Sequence, residues 1–126
     1  MKKIITTLNA PAPIGPYNQA VFVNNTLYLS GQIGLNPLTM ELVEGGVKKE
    51  AEQVMVNLKS VLDAAEMNFD QVVKSSIFLS DMAHFGQVNE VYGSYFNNET
   101  APARETIAVK SLPKNVRVEI SMIAIK

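Results

Sequence analysis

The sequence predicts a small α/β sandwich: one β-sheet carrying two helices on one face, with the other face open. Two stretches place apolar residues at helical spacing, and each is flanked by short β-prone runs, giving the order β-β, helix, β, helix, β-β. Strand–helix–strand crossovers are right-handed, so two of them moving the same way across a sheet put both helices on the same side. The open face is expected to be partly apolar, with Thr106, Ala108, Ser121, Ile123 and Ile125 contributing, and such a face calls for a partner.

In chain order, residues 4–8 are mixed apolar and polar and suit an edge strand. Asn9–Pro16 holds Pro11, Pro13, Gly15 and Pro16 and forms a constrained loop with few free backbone donors, with Tyr17 directly after it. Gln19–Val23 and Leu27–Ser30 read as a hairpin turning at Asn24–Asn25. Gly31, Gly34 and Pro37 break regularity, and Gly45–Gly46 close a second loop.

Val47–Met67 is the first helix. Val47, Ala51, Val54, Met55, Leu58, Val61, Leu62 and Ala65 form its apolar stripe, opposite Lys49, Glu52, Gln53, Lys59 and Asp63. Val72–Leu79 reads as a strand. Ser80 or Asp81 then caps a second helix bearing Phe85, Val88, Tyr92, Tyr95 and Phe96 and ending near Asn97–Asn98. Met55, Met67, Met82 and Met122 read as core filling.

The last segment, Ala101–Lys126, contains two alternating runs around a turn with Pro113 and Asn115, expected to be neighbouring strands. In the first, Ile107 and Val109 face the core and Arg104, Thr106 and Ala108 face away. In the second, Val118, Ile120 and Met122 face the core and Glu119 and Ser121 face away. On this reading Arg104 and Glu119 emerge from the same side of the sheet.

Composition limits the function. A chain of 126 residues with 47% apolar and 18% charged residues is one folded domain, residues 1–126. A net charge of −1 without a Lys/Arg cluster argues against a nucleic-acid partner. No apolar run reaches the roughly 18 residues of a membrane span, and the early prolines interrupt any signal-peptide core, so a cytoplasmic protein is expected. The absence of Cys removes thiolate nucleophiles, and a single His leaves little for a zinc site. No phosphate-cradle, redox or nucleophile-elbow motif is present, so the sequence offers no cofactor site. Acid–base or hydrolytic chemistry on a small acid remains, or binding alone.

Arg104 and Glu119 are the candidates for that chemistry. A planar guanidinium matches a carboxylate through paired hydrogen bonds, and a carboxyl between Val118 and Ile120 has reason to hold its proton toward neutral pH. The plainer alternative is structural: Arg104 paired with Glu105 or with Glu119 itself, quenching both. Tyr17, Ser30 and Gly31 form a second tier at a loop and a strand end, and Asn89 interrupts the apolar side of the second helix.

The segments I-G-P-Y-N-Q-A (14–20), L-S-G-Q-I-G (29–34), V-V-K-S-S-I-F-L-S-D-M (72–82), F-G-Q-V-N-E-V-Y (85–92), P-A-R-E-T (102–106) and L-P-K-N-V-R-V-E-I (112–120) together resemble the reactive-intermediate deaminase (YjgF) family. The resemblance covers nearly the whole chain in order. It implies an α+β, chorismate-mutase-like sandwich with a mixed sheet, assembled as a homotrimer with clefts between subunits. It also implies hydrolysis of 2-imino acids, formed from enamines, to 2-oxo acids and ammonia without a cofactor. By resemblance Arg104 holds the substrate carboxylate and Glu119 handles the attacking water, with Tyr17, Ser30, Gly31, Asn89 and Thr106 lining the cleft. The chain departs from the family pattern at Asn18, Met67 and Glu105, and by strand alternation Glu105 points away from Arg104.

Overall fold

The computed structural model describes all 126 residues. Six strands, β1 (Lys3–Ile5), β2 (Ala20–Val23), β3 (Thr26–Gln32), β4 (Val72–Leu79), β5 (Ala103–Ala108) and β6 (Val118–Ile125), form one sheet in the order β1-β2-β3-β6-β4-β5. Every neighbouring pair is antiparallel except β4–β5, so the sheet is mixed, as expected for the α+β class. Helices α1 (Val47–Ala64) and α2 (Phe85–Gly93) pack together on one face.

The core lies between that face and the helices. Val54, Met55, Leu58, Val61 and Leu62 of α1 are fully buried against Leu27, Ile77, Leu79, Val118 and Ile120 from the sheet. The 3.6-residue stripe of the helix and the two-residue alternation of the strands meet there. On the opposite face Tyr28, Ile107 and Ile125 are about half exposed, beside Phe78 and Ile123.

Local signals account for most boundaries. Asn24 and Asn25 both adopt positive φ, 50° and 60°, the geometry that turns a two-residue hairpin with the twist of its strands. Asp81 caps a single 3₁₀ turn, accepting from the Ala83 amide at 2.8 Å, and α2 follows directly. Met55, Met67 and Met122 are core residues, whereas Met82 is 46% exposed. No helix is long and apolar enough to cross a membrane.

Beyond the exposed Met82, four expectations need correction. The first strand is Lys3–Ile5 and stops short of residue 8, because the Thr7 amide bonds the Gln19 side chain instead of a strand. Helix α1 ends at Ala64, not Met67: Glu66 takes a left-handed conformation (φ 57°), its amide bonds Asp63 and the Met67 amide reaches back to Leu62. These paired bonds are a Schellman stop, made here without the glycine that usually signals one. Helix α2 ends at Gly93, and the segment carrying Tyr95 and Phe96 returns toward Phe69.

The fourth correction matters most for function. β5 and β6 are not neighbours, because β4 lies between them. Arg104 is paired with buried Ser75 and Thr106 with buried Ile77, so Arg104, Thr106 and Ala108 lie on the helix side and Ile107 lies on the open face. Glu119 is paired with Phe78 and points to the open face. Arg104 and Glu119 therefore stand on opposite sides of the sheet. Two strand spacings across and three residues along separate their α-carbons by about 14 Å.

Candidate active site

The sequence-predicted residues fall into two groups, one on each face. The first is built by α2 and the edge strand β5. Phe85, Asn89 and Tyr92 follow one another at helical spacing and point at β5. The Arg104 guanidinium lies over the Tyr92 and Phe85 rings, 5.1 Å and 5.8 Å from their centroids, and Nη1 donates to Asn89 Oδ1 at 2.8 Å. Stacking on two aromatic faces orients the planar fork while Asn89 occupies one of its donors.

Arg104 makes no ion pair. Glu105 projects to the other face, where it pairs with Lys74 at 3.0 Å and accepts from the Ser76 hydroxyl. The Ser76 hydrogen bond, followed by Lys74, holds the Glu105 carboxyl below the usual range. The neighbouring glutamate thus leaves the guanidinium charge intact.

Tyr92 donates its hydroxyl to Ser75 at 2.9 Å beneath the arginine. Burial pushes the phenol up, against smaller downward pulls from Ser75 and Arg104, which keeps it protonated as that donor. Thr106 stands two residues along β5 on the same side, and its buried hydroxyl has no hydrogen-bond partner. The fork donors that Asn89 leaves free border an open hollow of about 250 Å³ with Asn89, Tyr92, Phe96 and Pro102 and suit a small anion, whereas the buried Thr106 hydroxyl does not line it.

The second group centres on Glu119. Between Leu29 and Gln32, β3 holds one residue more than β6 opposite, a bulge formed at Ser30–Gly31. The Glu119 side chain lies across Gly31, where an added β-carbon would come within 2.5 Å of Oε2, so only glycine leaves room for this approach. Glu119 makes no ion pair or side-chain hydrogen bond, and burial raises its carboxyl above the usual value. It borders a hollow of about 90 Å³ with Tyr17, Gly31, Ile33, Met40 and Pro113.

Tyr17 is half exposed at the rim, its hydroxyl 3.4 Å from the Ile14 amide. Ser30 does not line the hollow. Its hydroxyl donates to the Asn18 carbonyl at 2.6 Å and ties the Tyr17 segment to β3. Asn89 likewise holds Arg104 in addition to bordering the hollow on its own face.

Three supports escaped the sequence reading. Gln19, buried, accepts from the Thr7 amide and donates to the Thr7, Ala10 and Pro11 carbonyls, clamping the proline-rich loop that walls the Glu119 hollow. Glu50, fully buried at the start of α1, binds the Arg117 amide at 2.9 Å and its guanidinium at 2.7 Å, fixing the chain two residues before Glu119. Asn57 donates to the Ile33 and Leu35 carbonyls. A polar residue inside an apolar helical stripe is the only trace such anchors leave in a sequence, and both Glu50 and Asn57 show it.

Comparison with known proteins agrees with this architecture. The family model described as Endoribonuclease L-PSP matches residues 7–126. The 2-iminobutanoate/2-iminopropanoate deaminase of Mus musculus is 49% identical across all of this chain and 93% of its own length. The chain belongs to the reactive-intermediate deaminase family. Other members of the family carry different names. A RutC family protein of Synechocystis is 50% identical over 98% of this chain and 95% of its own. The crystal structure of E. coli TdcF with bound serine superposes with a TM-score of 0.91 at 36% identity, over 98% of each chain.

Proposed function

We propose that this protein hydrolyses reactive 2-imino acids to 2-oxo acids and ammonia, as a homotrimer whose sites lie between subunits. The observation that carries the reading is the pair of incomplete half-sites: an aromatic-stacked guanidinium with no ion pair on one face and a carboxyl with neither ion pair nor hydrogen bond, its pKa raised by burial, on the other. Neither can serve the other within one chain. A neighbouring subunit seated on the apolar open face would bring its own Arg104 toward Glu119 and cover Tyr28, Phe78, Ile107 and Ile125 at the same time. The deaminase name of the mouse relative and the serine held by the E. coli one, an amino acid with a free carboxylate, support the same substrate class.

In this mechanism Arg104 clamps the substrate carboxylate through the fork edge that Asn89 leaves free, which fixes C2 in place. Ionised Glu119 accepts a proton from water as the oxygen bonds to C2 of the protonated imine, and the C=N electron pair moves to nitrogen. The Thr106 hydroxyl or main-chain amides donate to the tetrahedral intermediate. Glu119 returns its proton to nitrogen, the C–N bond breaks, ammonia leaves, and loss of the hydroxyl proton gives the 2-oxo acid. Imines hydrolyse readily in water, so positioning one substrate and one water is enough, and no step requires a cofactor.

The test is ammonia release from freshly generated 2-iminobutanoate and 2-iminopropanoate. Wild type accelerates it and Arg104→Ala loses about 30- to 5,000-fold in kcat/KM, the range for removing one partner of a hydrogen-bonded charge pair. Equal rates with and without protein overturn the proposal. A second reading, a trimer that binds small carboxylates without catalysis, has its support in the serine held by the E. coli relative. It predicts saturable 2-oxo acid binding through Arg104 with no change in imine lifetime.

A further inference from the structure

Met40 has a backbone conformation that disfavours its own side chain. Its φ is 61°, in the left-handed region where a β-carbon crowds the backbone. The other non-glycine residues with positive φ are Asn24, Asn25, Glu66, Lys114 and Asn115, all polar and exposed at turns or a helix end. Met40 alone is apolar and half-buried.

The loop holds it firmly. The Met40 amide bonds the Asn36 carbonyl at 2.7 Å, the Asn36 amide bonds the Glu41 carbonyl at 2.9 Å, and Asn36 Oδ1 accepts from the Leu38 amide at 2.8 Å. So braced, Met40 lines the hollow beside Glu119, together with Pro11, Ile14, Ile33 and Leu35. The hollow, about 90 Å³, is small beside the about 300–1,000 Å³ of a typical small-molecule pocket and suits one apolar fragment rather than a whole ligand.

We infer that Met40 sets the size limit for the substrate side chain, so that the site favours 2-imino acids with short or unbranched aliphatic chains. The inference rests on the proposed deaminase reading and gives the retained methionine a purpose: a backbone conformation suited to glycine is kept because the thioether closes the apolar wall. Met40→Gly removes both the crowding and the wall, and Met40→Phe fills the hollow.

The experiment compares kcat/KM for imines generated in situ by an amino-acid oxidase from leucine and from 2-aminobutanoate. The leucine-to-aminobutanoate ratio rises about tenfold or more in Met40→Gly, within the range for opening a hydrophobic pocket by a methylene or two, and falls in Met40→Phe. Calorimetry with 4-methyl-2-oxopentanoate and 2-oxobutanoate gives the same ratio shift without needing turnover. Acceleration by wild type with ratios unchanged in both variants sinks the inference and leaves the deaminase reading standing. Absence of imine turnover sinks that reading, and the binding ratio then decides the role of Met40 alone. Binding of neither acid overturns both.

Discussion

Asn89 shows how one atom sets the charge of a half-site. It meets Arg104 with an amide oxygen, a neutral acceptor that orients the fork without cancelling it. Asn89→Ala leaves the aromatic stack in place and is expected to raise KM several-fold by loosening the guanidinium. Asn89→Asp keeps the acceptor and adds a competing charge, so it is expected to raise KM more than alanine does, by about tenfold or greater. Steady-state kinetics on both variants checks the order, which reverses if geometry alone matters. Glu119 is the complementary case. Burial raises its folded-state pKa, so the neutral form suits the fold better than the ionised form. The stability it contributes is present below its unfolded pKa and is lost as pH rises through the higher folded value. Glu119→Gln is therefore expected to match or exceed wild-type stability at neutral pH, with the advantage fading under acid, while imine hydrolysis is lost. In wild type the acid limb of kcat/KM should lie above the pH of an ordinary glutamate. Melting curves and a pH–rate profile measure both.

At the scale of elements, what the sequence made legible was set by how local each signal is. α1, β4 and β6 carry their period within themselves, and the faces expected for Val118, Ile120 and Met122 are those observed. Strand order is not local. The turn before β6 looks like a tight connection, yet β6 inserts between β3 and β4, where its continuous apolar side is covered by α1. β5 is left at the edge, and its facing is inverted because α2 offers an aromatic and amide surface that favours Arg104 over Ile107. Arg104 and Glu119 were thus recognisable as residues, whereas their placement on opposite faces was not. The end of α1 was hidden for a different reason: Glu66 adopts the left-handed position with no glycine to mark it. Since Glu66 is exposed, Glu66→Gly should relieve that conformation and stabilise the fold by about 0.5–1 kcal/mol, offset in part by the freer unfolded chain. Thermal unfolding should show a rise of about 2–4 °C, and a fall would mean that the Glu66 side chain contributes something its exposure does not suggest.

For the whole molecule, the proposed mechanism turns oligomerisation from a matter of stability into a requirement for chemistry, because Arg104 and Glu119 lie on two faces. On that mechanism an isolated subunit has the guanidinium with no base on its side of the sheet, and the carboxyl with no guanidinium on the other. The proposed trimer predicts complementation between defective subunits. Arg104→Ala chains retain a sound Glu119, and Glu119→Gln chains retain a sound Arg104, so each homotrimer has only broken sites. In mixed trimers every site draws Arg104 from one chain and Glu119 from the next. Random 1:1 assembly then restores about a quarter of the sites to wild-type composition, the product of two independent halves. Co-expressing the two variants with different tags, isolating doubly tagged oligomers and measuring imine hydrolysis should recover activity well above either parent. If both residues acted from a single chain, mixing would restore nothing, because no subunit carries both. Sedimentation of wild type should give a species near three times the 13.8 kDa chain, and Ile107→Glu on the open face should shift it toward monomer and abolish activity although both half-sites remain chemically intact.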